Sequence, residues 1–444
     1  MSHGPFILGP FILGAFIPGT LSGSAWRLPE APLDTFKSLE HYQYIARKLE
    51  AGRFHALFFN DTLDVKLDLA LQRGPNSVRW DPLILAPALA ASTRHIGLIA
   101  TASSTYNEPY NIARKYAALD HLSGGRAGWN LVTSLGGGEN FNRQEHVEHD
   151  DRYARAEEFY DVVSGLWDSW ADDAFVQDKA TGTWLDIDKL HVLEHQGEHF
   201  QVRGPLNVAR SPQGHPVVAQ AGASVAGKRL AARVGELIFT AQHTIAQGQA
   251  FYQETKQAAA GFGRRADALK VLPGVSPVVG KTQAEAQAKY DRQQELLEPK
   301  AFLSSISRFA SLGYDLSELP FDEVVPLPPE TFTTNTHQSR QKLVFDLIRR
   351  ERPTVRQLFN QLTSGGHRIL IGTPQSIADD LQAWYEAGAA DGFNIMFSGL
   401  HSAIDDFVDG VIPELQRRGL FQREYAGTTL RQNLGLPYRA NRFF

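Results

Sequence analysis

The sequence contains no cysteine, and this absence excludes several kinds of chemistry at once. The cysteine count among the 444 residues is 0. The chain therefore forms no disulfide, has no thiolate nucleophile, and cannot hold zinc or an iron–sulfur cluster through cysteine ligands. A chain without cysteine suits a reducing compartment, so we expect a cytoplasmic location.

Long hydrophobic runs and an excess of basic charge are also missing. No stretch is long enough to span a bilayer, and the formal net charge of -5 gives no electrostatic footprint for nucleic acid or an anionic membrane. Near the start, residues 10–14 nearly repeat residues 4–9, with proline and glycine but no early lysine or arginine. This differs from a signal peptide, and we interpret the upstream copy as a slip or an extended arm.

A dinucleotide-binding fingerprint is the third missing feature. No Gly-x-Gly-x-x-Gly follows the first predicted strand, which argues against a doubly wound sheet, the competing architecture. The chain instead alternates apolar strand-like runs with amphipathic helical runs, a pattern typical of parallel β/α units. Its length allows either two domains or one large barrel with insertions.

Eight strand-like runs predict an α/β protein with a single (β/α)8 TIM barrel over residues 1–444. We expect insertions at about 62–80, 135–150, 171–215 and 282–365, of which the third can hold a small hairpin. The predicted strands are Phe11–Ile17, Phe54–Asn60, Ile96–Thr101, Ala127–Thr133, Val217–Ala221, Leu237–Ala241, Leu269–Val275 and Phe393–Phe397.

Polar residues stand at the carboxyl ends of the predicted strands, where a barrel places its active site. Taken singly, each has an ordinary explanation, since Asp61 can cap a turn and Thr101 favours a strand. Asn130 interrupts a buried strand, and its amide needs a partner from the protein or from a ligand. Together these residues carry few charges, which suits a neutral heteroaromatic ring better than a metal. The set comprises Asp61, Thr101, Asn130, Thr133 and Ser134.

Two predicted helix starts add candidate phosphate contacts. His149 precedes a helix and Tyr153 lies one turn further on, so the two share a face. Ser224 stands at the start of another helix, after Ala221, Gly222 and Ala223. Free N–H groups and the helix dipole make such ends anion sites. Plain N-capping by Ser224 and a surface position for His149 remain the alternatives.

Metal and glycosidase chemistry are weakly supported. The histidine pairs His146 and His149, and His191 and His195, lie in polar loops. We interpret them as solvated histidines and expect no metal site. A glycosidase needs a pair of carboxylates, and only Asp61 is well placed.

The stretch Leu119–Ser134 strongly resembles the bacterial luciferase-like flavin monooxygenases. It reads Leu-Asp-His-Leu-Ser-Gly-Gly-Arg-Ala-Gly-Trp-Asn-Leu-Val-Thr-Ser. The branch is that of nitrilotriacetate monooxygenase component A, the pristinamycin synthase subunit and dibenzothiophene sulfone monooxygenase. Further matches cover nearly the whole chain in order, at Thr105–Pro109, Glu148–Asp150 with Arg152 and Tyr153, Gly204–Leu206, Arg210–Gly214, Ala390–Ile395 and Gly427–Arg431.

The resemblance implies a luciferase-like barrel that uses reduced FMN and O2 as co-substrate. It implies that a separate NAD(P)H:flavin reductase supplies the flavin, and that FMN contacts fall on Asp61, Thr101, His149, Tyr153 and Ser224. The implied activity is oxygenation of a small organonitrogen or organosulfur compound, often with C–N or C–S cleavage. The alternatives are a deazaflavin-dependent oxidoreductase on the same barrel and a flavin-binding protein without turnover. We also expect a homo-oligomer; no catalytic residue is assigned.

Two segments depart from the family pattern. In the sulfone-oxidising relatives a histidine lies just ahead of an Ala-Trp-Arg element, whereas here residues 22–24 precede Ala25-Trp26-Arg27 without a histidine. The loop after the fourth strand reads Gly136–Asn142 where relatives usually have a longer segment ending in Asn-Phe-Gly. Both differences weigh against a sulfone substrate and leave the flavin assignment intact.

Within the last insertion, the segment Pro326–Thr336 mixes proline with threonine and asparagine, as functional loops often do. We predict that it is a mobile lid over the barrel mouth, because reduced-flavin chemistry with O2 requires a cover against water. A rigid connector on the outer helices is the alternative.

Overall fold

The computed structural model describes most of the chain. The described residues are 10–17, 21, 24–65, 78–134, 136–142, 149–222, 224–330, 338–363 and 366–444, with residues 149, 150, 309 and 338–340 described by their backbone alone. The upstream repeat at residues 4–9 and parts of the predicted insertions at 62–80, 135–150 and 282–365 therefore lie outside the description.

Eight parallel strands close into a barrel, which confirms the predicted (β/α)8 fold and all eight predicted strands. Each strand pairs with the next around the ring, and the last pairs with the first. The labels β5, β6 and β10 belong to strands outside the ring, which are described below. In chain order, the strands of the ring are β1 (Ile12–Ile17), β2 (Ala56–Phe59), β3 (Gly97–Ser103), β4 (Ala127–Val132), β7 (Val217–Gln220), β8 (Leu237–Thr240), β9 (Lys270–Val279) and β11 (Gly392–Met396).

Helices surround the barrel and connect its strands. Two of their starts illustrate the capping rules: Asp81 caps one helix before proline, and Ser224 caps another. Among the described residues no helix is long and apolar enough to cross a membrane. The helices are α1 (Leu39–Ala51), α2 (Pro82–Ala90), α3 (Pro109–Ser123), α4 (His149–Trp167), α5 (Val225–Val234), α6 (Ile245–Gly261), α7 (Gln283–Glu295), α8 (Pro299–Phe309), α9 (Gln338–Glu351), α10 (Val355–Leu362), α11 (Pro374–Glu386), α12 (His401–Asp406), α13 (Ile412–Arg417) and α14 (Leu430–Asn433).

Three further strands lie outside the ring in the described part of the chain. The connection at 171–215 holds a hairpin of β5 (His195–Gln196) and β6 (Gln201–Val202), as predicted. The strand β10 (Arg368–Gly372) was not predicted; it pairs with the outer half of β9, beyond the barrel. The predicted end of β9 at Val275 was therefore too early, because the strand continues through Pro277 to meet β10.

The long insertion and the interior of the barrel have separate hydrophobic clusters. The insertion has a core of its own between α8, α9 and α10, built around Phe345, Leu358 and Leu316. At the other end of the molecule, the C-terminal residues Leu430 and Leu434 pack against the barrel's inward-facing side chains. The C-terminal tail thus closes the amino end of the barrel, while the carboxyl end faces the insertion.

Candidate functional site

Thr101 and Asn130 form a polar pair inside the barrel. They lie opposite each other on the neighbouring strands β3 and β4. The Thr101 hydroxyl donates to the carbonyl oxygen of Phe59 (2.6 Å) and accepts from the side-chain amide of Asn130 (2.8 Å). The other amide atom, Asn130 Oδ1, is buried and has no hydrogen-bond partner among the described residues. Such an atom indicates a place that a ligand group can complete.

Asp61 follows the end of β2, two residues beyond the carbonyl that Thr101 contacts. Burial, reinforced by the nearby Asp81, raises the pKa of the Asp61 carboxyl to about 6, against the opposing effect of Arg79. The side chain is half-buried rather than fully enclosed. Asp61 is therefore a carboxyl group that changes its charge near neutral pH at the rim of the barrel mouth.

Tyr153 and Ser224 meet at the start of α5. The Ser224 side chain accepts a hydrogen bond from the N–H of Gly227 (3.1 Å). A Cβ atom added to Gly227 would lie 3.0 Å from the Tyr153 hydroxyl oxygen, and one added to Gly222 would lie 3.1 Å from it. The glycines thus let the tyrosine hydroxyl approach the first turn of the helix closely. The capping role of Ser224 is confirmed, and the same geometry leaves the first N–H groups of α5 next to two hydroxyl groups.

His149 is the first residue of α4, one helical turn before Tyr153. Its backbone therefore lies beside the Tyr153 position, but its side chain is outside the described residues. The structure brings together Thr101 with Asn130, and Tyr153 with Ser224. The strands β2, β3, β4 and β7 are neighbours in the barrel. The two pairs and Asp61 therefore lie side by side along one half of the barrel mouth, and we call this row of polar residues the arc.

The loop after β4 forms a roof beside this arc. The Asn140 side chain donates to the carbonyl oxygen of Leu63 (3.0 Å), and the Phe141 ring stacks on Tyr106 with 4.7 Å between centroids. Asn142 has a φ of 57°, in the left-handed region that asparagine tolerates better than most residues. Asn142 therefore adopts a backbone conformation that glycine, the residue at the end of the relatives' Asn-Phe-Gly, adopts readily.

A cavity of about 800 Å³ occupies the other half of the mouth. Its walls come from the ends of β1, β9 and β11, from α7 and from the start of α12, and it reaches Asn60 and Arg79 next to the arc. The sequence did not predict this cavity. The only local signal was that Asn60 directly precedes Asp61 at a strand end.

The segment that contains the Ala-Trp-Arg element contributes Ser24, Ala25 and Leu28 to the cavity wall. The Ser24 hydroxyl donates to the carbonyl oxygen of Gln293 (2.5 Å), and Arg27 donates to that of Leu296. These bonds fasten the segment to the end of α7. Ser24 therefore lies on the cavity wall close to where the sulfone-oxidising relatives carry histidine.

The histidines with ligand-like spacing have structural partners. His195 Nε2 lies 2.9 Å from a Glu158 oxygen, and the His191 ring stacks on Phe443. The interpretation of His191 and His195 as simply solvated was therefore wrong, whereas His146 lies outside the described residues. Among the described residues, no group of three or more histidine, aspartate and glutamate side chains is arranged to hold a metal ion.

A polar arc and a large cavity at the carboxyl ends of the strands define a TIM-barrel enzyme with its site in the usual place. The chain belongs to the luciferase-like monooxygenases, whose family model matches residues 16–391. This confirms the family inferred from the sequence motifs and makes the chain a flavin-dependent monooxygenase.

Two sequence relatives and one solved structure show how far the similarity extends. The chain is 46% identical to N-acetyl-S-(2-succino)cysteine monooxygenase of Bacillus subtilis (strain 168), covering 95% of both chains. It is 46% identical to nitrilotriacetate monooxygenase component A of Aminobacter aminovorans, covering 94% of both. The crystal structure of a riboflavin lyase, with modified FMN and riboflavin, superposes with a TM-score of 0.86 at 32% identity and 97% coverage of both chains.

Proposed function

We propose that this chain is the oxygenase component of a two-component system that uses reduced FMN and O2 to oxygenate a small organonitrogen or organosulfur compound. The observation that carries the proposal is the arc of polar groups ending at the α5 start, directly beside an 800 Å³ cavity. One feature suits the phosphate and ring of a flavin, and the other suits a second small molecule.

The residues of the arc fit FMN in type and order. The α5 start offers the backbone N–H groups of its first turn, the Ser224 hydroxyl and the nearby Tyr153 hydroxyl, a set that suits a phosphate. Thr101 and Asn130 offer neutral hydrogen-bonding atoms towards a heteroaromatic ring, and Asp61 lies at its edge. His149 begins the helix that carries Tyr153, and we assign it to the phosphate end.

Bound FMN would supply the oxygen chemistry, and the protein would supply position and protection. Ser224, Tyr153 and His149 would fix the phosphate, while Thr101 and Asn130 would set the orientation of the ring. The roof segment Gly138–Phe141 and the wall from Ser24 to Arg27 would limit the access of water to the cavity. Without these covers, oxygen would be lost as hydrogen peroxide instead of entering product.

The reduced flavin comes from a separate NAD(P)H:flavin reductase in this proposal. The sequence has no dinucleotide fingerprint after β1, and one relative is named a component of a larger enzyme. The names of the relatives also suggest which compounds to test first: N-acetyl-S-(2-succino)cysteine and nitrilotriacetate carry an organosulfur and an organonitrogen centre.

The proposal is tested with the purified protein, a generic NADH:FMN reductase and a panel that begins with these two compounds. Catalase is added to separate hydrogen peroxide release from oxygenation. We expect oxygen uptake that depends on a panel compound, with an oxygenated or cleaved product seen by mass spectrometry. Oxygen uptake without product for every compound would favour a flavin-binding protein, and turnover only with reduced deazaflavin and without O2 would favour the deazaflavin alternative.

A further inference from the structure

Two groups of polar side chains in the mouth cavity differ in whether they have partners within the protein. In the first group the charges are already matched. Lys289 Nζ lies 2.7 Å from Asp406, and Arg292 lies 3.1 Å from Glu30. These ion pairs line the cavity wall, but their charges are satisfied within the protein.

The second group consists of three neutral side chains that line the same cavity. Asn60 Oδ1, Gln294 Oε1 and Ser398 Oγ are buried atoms, and none has a hydrogen-bond partner among the described residues. They come from three separate elements: the end of β2, the last turn of α7 and the loop after β11. A buried polar atom without a partner costs about 1–3 kcal/mol, so three such atoms around one cavity call for a ligand.

We propose that Asn60, Gln294 and Ser398 form a substrate-recognition subsite for a neutral hydrogen-bonding group, such as an amide or a hydroxyl. This inference rests on the proposed function, because it assigns the cavity to the substrate of the oxygenase. Two carboxamides and a hydroxyl can each donate and accept, and they carry no net charge. They complement an amide better than they complement a carboxylate or phosphate, which needs a cation. Arg79 also lines the cavity, but its charge acts on the Asp61 carboxyl at the flavin side.

The three residues of the subsite lie at different distances from the arc. Asn60 immediately precedes Asp61, so it lies where the cavity meets the flavin half of the mouth. Gln294 lies on α7, whose end is fastened by Ser24 and Arg27. A bound substrate would therefore span from the flavin side to the wall that differs from the sulfone-oxidising relatives. The Ser24 segment positions Gln294 and so contributes to substrate choice.

The first arm of the test needs no substrate and compares two serine substitutions in the same cavity. Ser398→Ala removes a hydroxyl without a partner, whereas Ser24→Ala removes one that bonds to Gln293. We expect Ser398→Ala to leave the Tm of the FMN-free protein unchanged or raised by about 1 °C, and Ser24→Ala to lower it by about 1 °C or more. An equal loss of Tm in both variants would overturn the subsite.

The second arm measures turnover with a probe that carries an acetamide group, N-acetyl-S-(2-succino)cysteine, and with S-(2-succino)cysteine, which lacks the acetyl group. Asn60→Leu, Gln294→Met and Ser398→Ala should each raise KM for the acetylated probe about fivefold, with kcat within about twofold. The preference for the acetylated probe should shrink in parallel, while FMN affinity stays unchanged. Equal changes for both probes would overturn the subsite.

The two arms separate failure of the subsite from failure of the proposed function. If the unaltered protein oxygenates neither probe, the Tm comparison still decides whether the Ser398 hydroxyl has a structural role. If it oxygenates a probe but the three variants behave like the unaltered protein, the function stands and the subsite is wrong.

Discussion

The two ends of the barrel place a buried and a half-buried carboxyl group in opposite surroundings. At the amino end, Glu236 is 2% exposed and is contacted by Arg431 (2.8 Å) and Arg439 (2.7 Å). Burial alone would raise the pKa of Glu236, but the two arginines outweigh it and hold that pKa well below its usual range. At the carboxyl end, Asp61 lies near Asp81, and its pKa is raised to about 6.

The difference shows which end has been arranged for stability and which for function. The two arginines hold the Glu236 carboxylate in its charged form. Because both arginines belong to the C-terminal tail, these ion pairs attach the tail to the barrel. A carboxyl group with a raised pKa, next to buried amide oxygens without partners, is costly in the free protein. Such features are expected where a ligand completes the structure. Substitutions at the two ends should therefore separate stability from flavin binding.

The largest effect is expected from Arg431→Met. The substitution leaves Glu236 buried with one arginine fewer, and breaking a buried ion pair in this way costs about 3–5 kcal/mol. Urea unfolding measures the change. Arg442→Met is the matched control, because Arg442 is 41% exposed and pairs with Asp168 from the surface; it should cost less than about 1 kcal/mol. Equal losses of unfolding free energy in the two variants would show that the buried ion pair contributes no more to stability than the exposed one.

Leu430→Ala should follow in size. Leu430 is fully buried under the barrel, and its side chain fills the space that a Cβ on Gly97 would need. Deleting it should cost about 2–5 kcal/mol without changing the affinity for FMN, because it lies at the other end of the barrel. Leu122→Ala, at a leucine that is 69% exposed, should stay within about 0.5 kcal/mol. A loss of FMN affinity in Leu430→Ala would contradict the division between the two ends.

Ser224→Ala tests the mouth directly. Losing one hydrogen bond to a phosphate should weaken FMN binding by about 1 kcal/mol, or about fivefold in Kd, and leave riboflavin binding nearly unchanged. Flavin fluorescence titration measures both. Thr244→Ala removes a comparable cap at α6 and should change neither flavin's affinity. Equal losses of FMN and riboflavin affinity would mean that Ser224 is only a helix cap.

The smallest effect concerns pH. The folded-state pKa of Asp61 is raised from 3.8 to about 6, so the folded protein holds this proton more tightly than the unfolded chain. Its contribution to stability is present at low pH and is lost as pH rises through that window. The Tm of Asp61→Asn minus the Tm of the unaltered protein should therefore increase as the pH rises from about 4 to about 7. A difference that stays constant with pH would show that Asp61 titrates normally.

Glu236 should show the opposite sign. Its folded-state pKa is lowered, so its stabilisation is present above the unfolded pKa and is lost as the pH falls. In Glu236→Gln this acid-dependent loss should be missing, although the variant is less stable at neutral pH. The two carboxyl substitutions thus compare the ends of the barrel by the same Tm measurement.

The barrel was predictable because each of its strands is a short apolar run bounded by residues that break strands. The strand Arg368–Gly372 was not predicted, because it is only half-buried and lies outside the barrel, just after the long insertion. The strand β9 likewise continues beyond its predicted end, because its outer half pairs with β10, a partner that was not predicted. The structure of such segments depends on local packing, which the repeating β/α pattern does not predict.

The arc was predictable because it is local in sequence: strand ends and helix starts carry Asp61, Thr101, Asn130, Tyr153 and Ser224. The cavity was not, since Asn60, Gln294 and Ser398 come from three distant segments that only the closed barrel brings together. The lid over residues 326–336 stays a prediction. Its described part is held to the insertion, with Pro326 accepting from Tyr314 (2.7 Å) and Pro329 accepting from Arg349 (2.6 Å).

The central claim is that the mouth binds reduced FMN delivered by another protein, and an anaerobic titration tests it most directly. Reduced FMN, oxidised FMN and NADH are each titrated into the purified protein, and NADH oxidation by the protein alone is followed in air. The account predicts tighter binding of reduced than of oxidised FMN, no binding of NADH, and no NADH oxidation. Rapid NADH oxidation by the isolated chain, or equal affinity for both flavin states, would contradict it.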